Sequence, residues 1–572
     1  MYLRTTKRRN ADGSEVRYYQ LAENHRDPER GCSVAKVIYN FGRADELDVD
    51  QLRRLAASIL RVVPEPTAAS TATIAADGGD VRIRDSWPYG GVYVLEQLWK
   101  EFDIAAVLTG CVKARATKQP FERALFAMVA NRALSPYSKL YCWEQWLREE
   151  VFLPSSRDVA LQHLYRAMDF LEEHKAAVEK AVYFKMADLM NADVDLIFYD
   201  TTSLHFEIDD EDEAAAPPPT DSHAHPPPLR KRGYSKNGRD DAPQIVVGLA
   251  VTRDGLPVRS WVFTGNTSDV TTVEKVKEDL RGWKLGRCIF VGDAGMNSED
   301  NRRTLALGGG KYILGAKLRA GDEVTKDVLA RQGRYHEVRD NLRVKEVIVG
   351  DGERRRRYVV CHNPDEAARQ QAHRDKIIAH LEAELATMQS DADGHSKRSC
   401  ALLASSRYGR YLRETAGGKL RIDRTAVAEA ARYDGKWVIT SNDDSLTAED
   451  LALGYKQLLR VEQCWRQLKS GLRMRPVFHW QPWRIQAHVT ISVLALLLER
   501  VAELRAGDSW RNLVAQLDTI KVVEYDRGET RIQQTTELRA GLEPLLVKLG
   551  VPLPPRLHTV APLSGPPRDS DA

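Results

Sequence analysis

Three acidic residues carry the clearest chemical signal in this chain: Asp200, Asp293 and Glu462. Two hard divalent cations about 3.5–4 Å apart can activate an attacking oxygen and stabilise the leaving oxygen of a phosphodiester, and carboxylate oxygens are ligands that Mg²⁺ prefers. Three carboxylates from separate elements can hold such a pair of ions. The residue types therefore predict a two-metal site for phosphoryl transfer.

The elements that must position these carboxylates are visible in the hydrophobic pattern. Asp200 closes the apolar run 194–200, and Asp293 closes the run 288–293, so both are expected at the ends of strands. The segments between residues 194 and 318 alternate as strand, strand, strand, helix, strand, helix, strand. This order predicts a mixed sheet in an α/β layered core.

Glu462 lies in a segment with helical periodicity. The sequence Thr447-Ala-Glu-Asp450 resembles a capping box, which places the start of one continuous helix near Thr447. Tyr455, Glu462 and Lys469 are spaced seven residues apart, so they drift by only about 20° per step around a helix. The pattern predicts a phenol, a carboxylate and an ammonium group on one side of this helix.

The charge distribution favours a polyanionic substrate. The formal net charge of the 572 residues is only +3, but basic residues crowd the segment 455–484. Its cations, against the single acid Glu462, are Lys456, Arg460, Arg466, Lys469, Arg473, Arg475 and Arg484. A basic stretch around a candidate catalytic acid is the layout that a phosphodiester chain requires.

The cysteines and the apolar segments indicate the compartment. The seven cysteines are scattered and form no C-x-x-C pair, which favours a reducing cytoplasm and argues against a zinc site. The N-terminus is polar, and the most apolar helical segment, 489–498, is too short to span a bilayer. We therefore expect a soluble cytoplasmic protein without a membrane partner.

Composition divides the chain into modules. An apolar fraction of 43% supports more than one hydrophobic core. The predicted modules are a basic β-hairpin module (1–63, with its turn at Asn10 to Gly13), a linker (64–88), a helical module expected to bind DNA (89–192), the first part of the core (193–318), an inserted β-rich subdomain (319–445), the helical part of the core (446–500), C-terminal helices (501–550) and a disordered tail (551–572).

Two groups of basic residues leave more than one interpretation open. Segment 207–239 begins with an acidic run, contains two proline triplets and ends in a basic arm with Arg232 and Lys236, so we expect a mobile loop. The arm either contacts DNA phosphates or is solvated. The same two alternatives hold for the cations of the helical module, Lys118, Arg123, Arg132 and Lys139.

These motifs resemble the DDE transposases of bacterial insertion sequences, in the superfamily marked by a Y-x2-R-x3-E-x6-K signature. The signature here reads Tyr455, Leu458, Glu462 and Lys469, with Leu458 at the basic position. The motifs Tyr199-Asp-Thr-Thr202, Asp293-Ala-Gly295 and Gly265-Asn-Thr-Ser-Asp269 are similar as well, although Met296 stands where the family has an aromatic residue. The resemblance covers roughly residues 190–500.

The resemblance implies a fold and a set of roles. It implies a ribonuclease H-like core in which Asp200, Asp293 and Glu462 hold two Mg²⁺ or Mn²⁺ ions, and in which Tyr455 and Lys469 contact phosphates. Arg466, Arg473, Arg232 and Lys236 complete the expected DNA contacts. The implied partners are double-stranded DNA, as transposon terminal inverted repeats and target DNA, and a second copy of the chain at the bacterial nucleoid.

The implied function is cut-and-paste transposition, with metal-dependent cleavage at the transposon ends and strand transfer. Two alternatives remain at this point. One is a DNA-binding derivative without catalysis, which the intact acidic triad disfavours because crowded carboxylates cost stability. The other is a metal nuclease that cleaves DNA without joining strands.

Overall fold

The computed structural model describes residues 2–9, 15–26, 33–43, 81–114, 118–189, 195–213, 228–283, 288–319, 323–390, 397–415 and 418–563. The chain forms two units, residues 1–80 and 81–572. The first contains strands β1 (Tyr2–Arg9), β2 (Glu15–Arg26) and β3 (Ser33–Arg43), in the antiparallel order β1-β2-β3. The predicted hairpin corresponds to β1 and β2. Its predicted turn and residues 64–80 of the predicted linker (64–88) lie outside the described residues, whereas residues 81–88 form a strand instead of a linker.

The second unit begins with strand β4 (Val81–Pro88) and a helical module. Its helices are α1 (Gly90–Glu101), α2 (Ile104–Ala114), α3 (Phe121–Leu134) and α4 (Leu161–Leu189), with shorter helical turns at Lys139–Tyr141, Cys142–Glu150 and Pro154–Ser156. The apolar periodicity of the sequence marks the buried faces, since Leu125, Met128, Leu164 and Met168 are at most 1% exposed. The module therefore packs around its own apolar helix faces.

The core sheet continues the chain. Its elements are β5 (Leu196–His205), β6 (Gln244–Val251), β7 (Pro257–Thr264), α5 (Asp269–Arg281), β8 (Ile289–Gly292), α6 (Glu299–Ala306), the short turn Leu307–Gly309 and β9 (Lys311–Ala316). β5, β6 and β7 pair antiparallel, whereas β5, β8 and β9 pair parallel, in the order β7-β6-β5-β8-β9. This is the predicted ribonuclease H-like sheet, and the predicted fold class is confirmed.

Strand β6 is the most enclosed part of this sheet. All eight of its residues are buried, as expected for a strand covered on both faces. Gly248 is required in it, because a Cβ at this position would lie 2.5 Å from the Tyr199 hydroxyl oxygen. The side chain of Tyr199, next to Asp200 in β5, fills the space that a side chain on residue 248 would need.

The predicted inserted subdomain is β-rich, but four of its strands extend the core sheet. Its elements are a helical turn (Glu323–Val328), β10 (His336–Arg339), β11 (Leu342–Val349), a turn (Gly352–Arg354), β12 (Arg356–His362), α7 (Pro364–Ser390), α8 (Lys397–Ala404), a turn (Gly409–Tyr411), β13 (Leu412–Glu414), β14 (Leu420–Ile422), α9 (Arg424–Ala431) and β15 (Lys436–Ser441). β15 pairs antiparallel with β9, so a nine-stranded sheet runs β10-β11-β12-β15-β9-β8-β5-β6-β7. The reason is that β9 would otherwise be an edge strand with unpaired backbone groups. Strands β13 and β14 form a separate two-stranded sheet.

The C-terminal part differs from the sequence prediction in two places. It contains α10 (Ala448–Lys456), α11 (Leu459–Arg466), a helical turn (Gln467–Gly471), α12 (Pro482–Ala506), α13 (Trp510–Leu517), β16 (Lys521–Arg527), β17 (Thr530–Thr535), α14 (Leu542–Leu549) and β18 (Leu557–Pro562). A hairpin, β16–β17, interrupts the predicted C-terminal helices, and β18 forms where a disordered tail was predicted. Both differences have one cause: these strands complete a four-stranded sheet, β18-β17-β16-β4, with a partner strand far away in sequence.

Helix α12 is longer than predicted. It has 25 residues instead of the ten-residue apolar segment 489–498, and among the described residues it is the one helix long and apolar enough to cross a membrane. Yet 89% of its most apolar 18-residue stretch is buried within the protein. The helix therefore packs as a core element against the helical module and the core sheet.

Candidate active site

The three predicted carboxylates come together on one open cavity of about 520 Å³. Asp200, Asp293 and Glu462 line it, together with the predicted DNA contacts Lys469 and Lys236. The remaining lining residues are Thr201, Thr202, Tyr234, Asp269 and Trp465. The sequence pattern thus identified five of the ten side chains that surround this space.

Sheet geometry brings the two aspartates side by side. β5 and β8 are parallel neighbours, and Phe198 pairs with Val291 in their register, so the residues two positions further on are Asp200 and Asp293. Asp293 follows directly after β8, as predicted. Asp200 does not end its strand, because β5 continues to His205 through antiparallel pairing with β6.

Glu462 is presented by a helix that is not continuous. The capping box at Thr447 is confirmed, since Thr447 Oγ1 accepts the backbone N–H of Asp450 at 3.1 Å. However, α10 ends at Lys456 and α11 begins at Leu459, and a separate helical turn carries Lys469. Leu458, the residue at the basic position of the signature, is 8% exposed and packs in the main hydrophobic core.

Tyr455 lies at the end of α10, beside the cavity. A Cβ at Gly315 would be 2.5 Å from the Tyr455 hydroxyl oxygen and 2.8 Å from the backbone nitrogen of Ala294. The phenol therefore packs against β9 and the residue that follows Asp293. Its pKa is raised by burial and by the negative charges of Asp293, Glu462 and Asp200, so the hydroxyl remains protonated and can donate a hydrogen bond.

Burial and like charge act on the two aspartates. Burial raises the pKa of Asp200 to about 6; the Lys236 ammonium opposes this shift, and Asp293 and Asp269 add to it. Burial likewise raises the pKa of Asp293, with Asp269 adding to the shift and Lys236 opposing it. The backbone N–H groups of Gly295 and Met296 donate to Asp293 Oδ1 at 2.9 and 3.2 Å and fix its orientation. Such raised carboxyl pKa values are typical of functional sites.

A fourth carboxylate, Asp269, belongs to this cluster. It is the first residue of α5, and its Oδ1 accepts a hydrogen bond from Thr201 Oγ1. A Cβ at Gly295 would lie 3.1 Å from Asp293 Oδ1 and 3.3 Å from Asp269 Oδ2, so the two carboxylates flank this glycine. The motif ending in Asp269 was noted in the sequence, but an aspartate that opens a helix also fits a purely structural role.

Lys236 provides the counter-charge of the cluster. Its Nζ lies 3.0 Å from Asp269 Oδ2 and 3.8 Å from Asp200 Oδ1, and it donates to Thr201 Oγ1 at 2.7 Å. Its neighbour Asn237 accepts a hydrogen bond from Lys469 Nζ at 3.3 Å. The end of the predicted mobile loop is therefore anchored at the cavity.

The other predicted DNA contacts lie elsewhere. Arg232 is paired with the acidic run, where its backbone N–H donates to Glu211 Oε1 at 2.8 Å. Arg473 lines a different cavity, and Arg466 is exposed on α11 outside the lining residues. None of these three arginines lines the carboxylate cavity, although Arg466 lies one helical turn after Glu462 on α11.

The cluster fits divalent cations by the chemistry of its donors. Carboxylate and hydroxyl oxygens suit hard cations, and the Lys236 ammonium is a cation already held among them. Within the described residues no three His, Cys, Asp or Glu side chains converge closely enough to hold a single ion in the present side-chain positions. A cation that enters the cavity would compete with the Lys236 ammonium for Asp200 and Asp269.

Two family models match the sequence. One, described as the transposase DDE domain, matches residues 218–498, a range that includes Asp293 and Glu462 and begins after Asp200. The other, described as the IS1634 family transposase N-terminal domain, matches residues 3–71. No protein with a curated description matches the chain.

A solved transposase structure matches over much of the chain. It is the cryo-EM structure of a piggyBac transposase synaptic complex with hairpin DNA, with a TM-score of 0.36 and 10% sequence identity. The match covers 76% of this chain and 82% of the other. The ribonuclease H-like fold assigned above rests on the strand order and does not depend on this similarity.

Proposed function

We propose that Asp200, Asp293 and Glu462 are the catalytic carboxylates of this chain, which is a DDE transposase of the bacterial insertion-sequence type. Transposases of this class depend on divalent metal ions and act on DNA. The observation that carries the proposal is that all three line one cavity. The proposed reaction is cleavage at the transposon ends followed by transfer of the freed strand into target DNA.

The proposed cofactor is a pair of Mg²⁺ or Mn²⁺ ions held by the three carboxylates. Bound there, the ions would activate the attacking oxygen and stabilise the leaving oxygen of the phosphodiester. The backbone N–H groups on Asp293 Oδ1 hold one carboxylate in place for this purpose. The depth of Asp200, with 17% of its side chain exposed, keeps bulk water from one side of the site.

The cationic side chains of the cavity are proposed to bind the DNA backbone. Lys469 is half-buried next to the carboxylates, and burial together with Arg475 lowers its pKa. A phosphate group would offset the cost of this burial, because opposite charge favours the charged form of the ammonium. The protonated Tyr455 hydroxyl is proposed to donate to the same phosphate chain, and exposed Arg466 to contact the backbone next to it.

The proposed setting is a dimer of the chain that holds two transposon ends in the bacterial cytoplasm, at the nucleoid. The double-stranded substrates are the terminal inverted repeats and the target DNA. Both substrates are polyanions, so binding is expected to weaken as salt concentration rises.

The test is a strand-cleavage and strand-joining assay with the purified chain and DNA that carries both ends of its own element. Wild type with Mg²⁺ is expected to give nicked, excised and joined products, and none in EDTA. Asp293→Asn is expected to give no products with Mg²⁺. The matched control is Asp340→Asn, an exposed aspartate in the β10–β11 turn, which is expected to react like wild type.

Two outcomes contradict the proposal. Full activity of Asp293→Asn would mean that this carboxylate does not take part in catalysis. Metal-dependent cleavage by wild type without any joined product shows instead a nuclease that does not transfer strands.

A further inference from the structure

A second and larger cavity, of about 880 Å³, lies outside the carboxylate cluster. Its walls come from residues 132–141, at the end of α3 and beyond, and from residues 473–484, which follow the helical turn of Lys469. Tyr165 of α4 and His488 of α12 complete it. None of the residues that line the carboxylate cavity lines this one. Its volume falls in the range of small-molecule sites, about 300–1,000 Å³.

The charge of this cleft is one-sided. Its cationic side chains are Arg132, Lys139, Arg473, Arg475 and Arg484. Among the described lining residues none is an aspartate or a glutamate. Arg484 forms an ion pair with Asp169, which does not line the cavity, with Nε 2.7 Å from Oδ1. The remaining positive charge faces the cavity without a carboxylate in its wall.

Two of these cations are deeply buried. Arg132 and Lys139 are each only 5% exposed. The guanidinium of Arg132 donates to the carbonyl oxygens of Leu472, Arg473 and Tyr137 at 3.3, 3.0 and 3.3 Å, and its Nε has no partner among the described residues. A buried cation without a counter-charge is costly, so this pair calls for an anion from outside the chain.

Burial also lowers the pKa of both cations. Burial lowers the pKa of Arg132 to about 10. Burial lowers the pKa of Lys139 well below its usual value, and the charge of Arg132 adds to the shift. A bound phosphate would reverse both shifts, because opposite charge stabilises the protonated forms.

The rim of the cleft carries aromatic rings that are open to solvent. Phe478 is 68% exposed and Trp480 is 65% exposed. The guanidinium of Arg230 lies 4.7 Å from the ring centroid of Trp480 and covers part of it. Exposed aromatic faces beside cationic side chains are the arrangement that stacks nucleobases and binds the phosphates attached to them.

We propose that this cleft is a nucleotide-binding site, which takes a phosphate at Arg132, Lys139 and Arg475 and stacks the attached base on Phe478 and Trp480. The inference rests on the proposed function only in that DNA is one source of such a nucleotide, within an unpaired strand. The other source is a free nucleotide. Both share the same chemistry, a phosphate linked to a planar base.

The test measures binding of a short fluorescent oligothymidylate to the full chain by fluorescence anisotropy in EDTA. The double variant Phe478→Ala/Trp480→Ala is expected to bind about tenfold more weakly or worse, since stacking on an aromatic ring contributes about 1–3 kcal/mol per base. Both side chains are mostly exposed, so the fold tolerates their loss. The matched control is Val547→Ala, which is 71% exposed on α14 and is expected to bind like wild type.

The phosphate half of the site has its own variants. Arg475→Gln is expected to weaken binding. It is also expected to reduce the slope of log K against log salt concentration by about one unit, which is the contribution of one phosphate contact. Arg511→Gln, an exposed arginine on α13, is the control for loss of charge. Lys139→Met is expected to weaken binding while retaining or raising the melting temperature, because it removes a buried charge.

Competitors distinguish the two sources. Displacement by thymidine monophosphate at concentrations where inorganic phosphate and duplex DNA fail supports a free nucleotide as ligand. Displacement only by unlabelled single strand supports the unpaired strand. Equal displacement by inorganic phosphate, or unchanged binding in the aromatic and Arg475 variants, overturns the inference.

Failure here and failure of the proposed function are separate results. Unchanged oligonucleotide binding in every variant, with normal metal-dependent joining, removes only the nucleotide site. If wild type gives no joined products while the variants change oligonucleotide binding as expected, only the proposed strand transfer is contradicted.

Discussion

The ammonium nitrogen of Lys236 lies 3.0 Å from Oδ2 of Asp269, inside the cluster that also contains Asp200 and Asp293. The lysine comes from the basic arm that follows the acidic run, and the aspartate opens α5. A protein cation thus balances carboxylates whose proposed partners are metal ions. The two kinds of cation compete for the same negative charge.

Removal of the Lys236 charge is therefore expected to ease metal binding. Lys236→Met should lower the Mg²⁺ concentration for half-maximal cleavage several-fold and should lower the melting temperature in EDTA, because the crowded carboxylates lose their counter-charge. A Mg²⁺ titration of activity and melting curves with and without EDTA measure both effects. Lys231→Met, on the same arm but paired with Glu211, is the control. A higher Mg²⁺ requirement in Lys236→Met would refute the competition.

Glu462 should affect catalysis without affecting stability. Its side chain is exposed on α11, so Glu462→Gln is expected to leave the melting temperature of the metal-free protein within about 1 °C, as for most surface substitutions. Cleavage should fall by about a hundredfold or more, since one metal-holding group contributes several kcal/mol. Single-turnover cleavage rates and melting curves test this pair of outcomes. The control is the double variant Glu462→Gln/Gln463→Glu, which places the carboxylate one position away on an exposed neighbour. It should not restore cleavage.

Leu458 should resist restoration of the signature arginine. The side chain is 8% exposed in the main core, whereas the next residue, Leu459, is 50% exposed. Leu458→Arg is expected to cost about 2–4 kcal/mol of unfolding free energy, because it removes a core side chain and buries a charge. Leu459→Arg should cost less than about 0.5 kcal/mol. Urea unfolding of both variants decides the matter, and equal stabilities would contradict the placement of Leu458 in the core.

Glu499 should make stability depend on pH. It is buried in α12, accepts a hydrogen bond from Gln467 Nε2 at 2.8 Å, and burial raises its pKa well above the usual value. The folded state therefore holds a proton that the unfolded state releases above its lower pKa, near 4.3, so this contribution is present in acid and is lost as pH rises.

Glu499→Gln imitates the protonated carboxyl at every pH. The stability of this variant relative to wild type is expected to increase steadily from about pH 4 towards neutral pH. Unfolding free energies of both proteins across this range measure the difference, with Glu543→Gln on the surface of α14 as control. A difference that stays constant with pH would mean that Glu499 titrates normally.

Local sequence patterns predicted the parts of the fold that depend on nearby residues. The strands of Asp200 and Asp293 followed from short apolar runs, and the capping box at Thr447 followed from its own four residues. The meeting of these carboxylates with Glu462 was predicted from their residue types and from the family resemblance. Periodicity could not supply it, because it depends on strand order.

Features that depend on distant partners were missed for the same physical reason. Asp269 joins the site through its hydrogen bond with Thr201 of β5, and Lys236, which was predicted only as a DNA contact, pairs with carboxylates there. Neither contact can be read from the neighbouring residues in the sequence. Strand β18 is mostly exposed and forms only because β17 offers unpaired backbone groups. The break between α10 and α11 was missed as well: the backbone N–H groups of Gln457 and Leu458 donate to carbonyl oxygens three residues back, while the apolar spacing continues unchanged.

The sheet that joins β4 to β16, β17 and β18 ties the last described residues to the start of the second unit. Beyond α14, the Leu553 carbonyl oxygen accepts a hydrogen bond from the Tyr93 hydroxyl at 3.2 Å, and His558 packs on Tyr89 with ring centroids 5.1 Å apart. A gene copy with a stop codon shortly after position 550 would still encode every carboxylate of the cluster. Its product would nevertheless lose β18 and these two contacts with the helical module, so we expect a lower melting temperature than that of the full chain even though the acidic triad is intact.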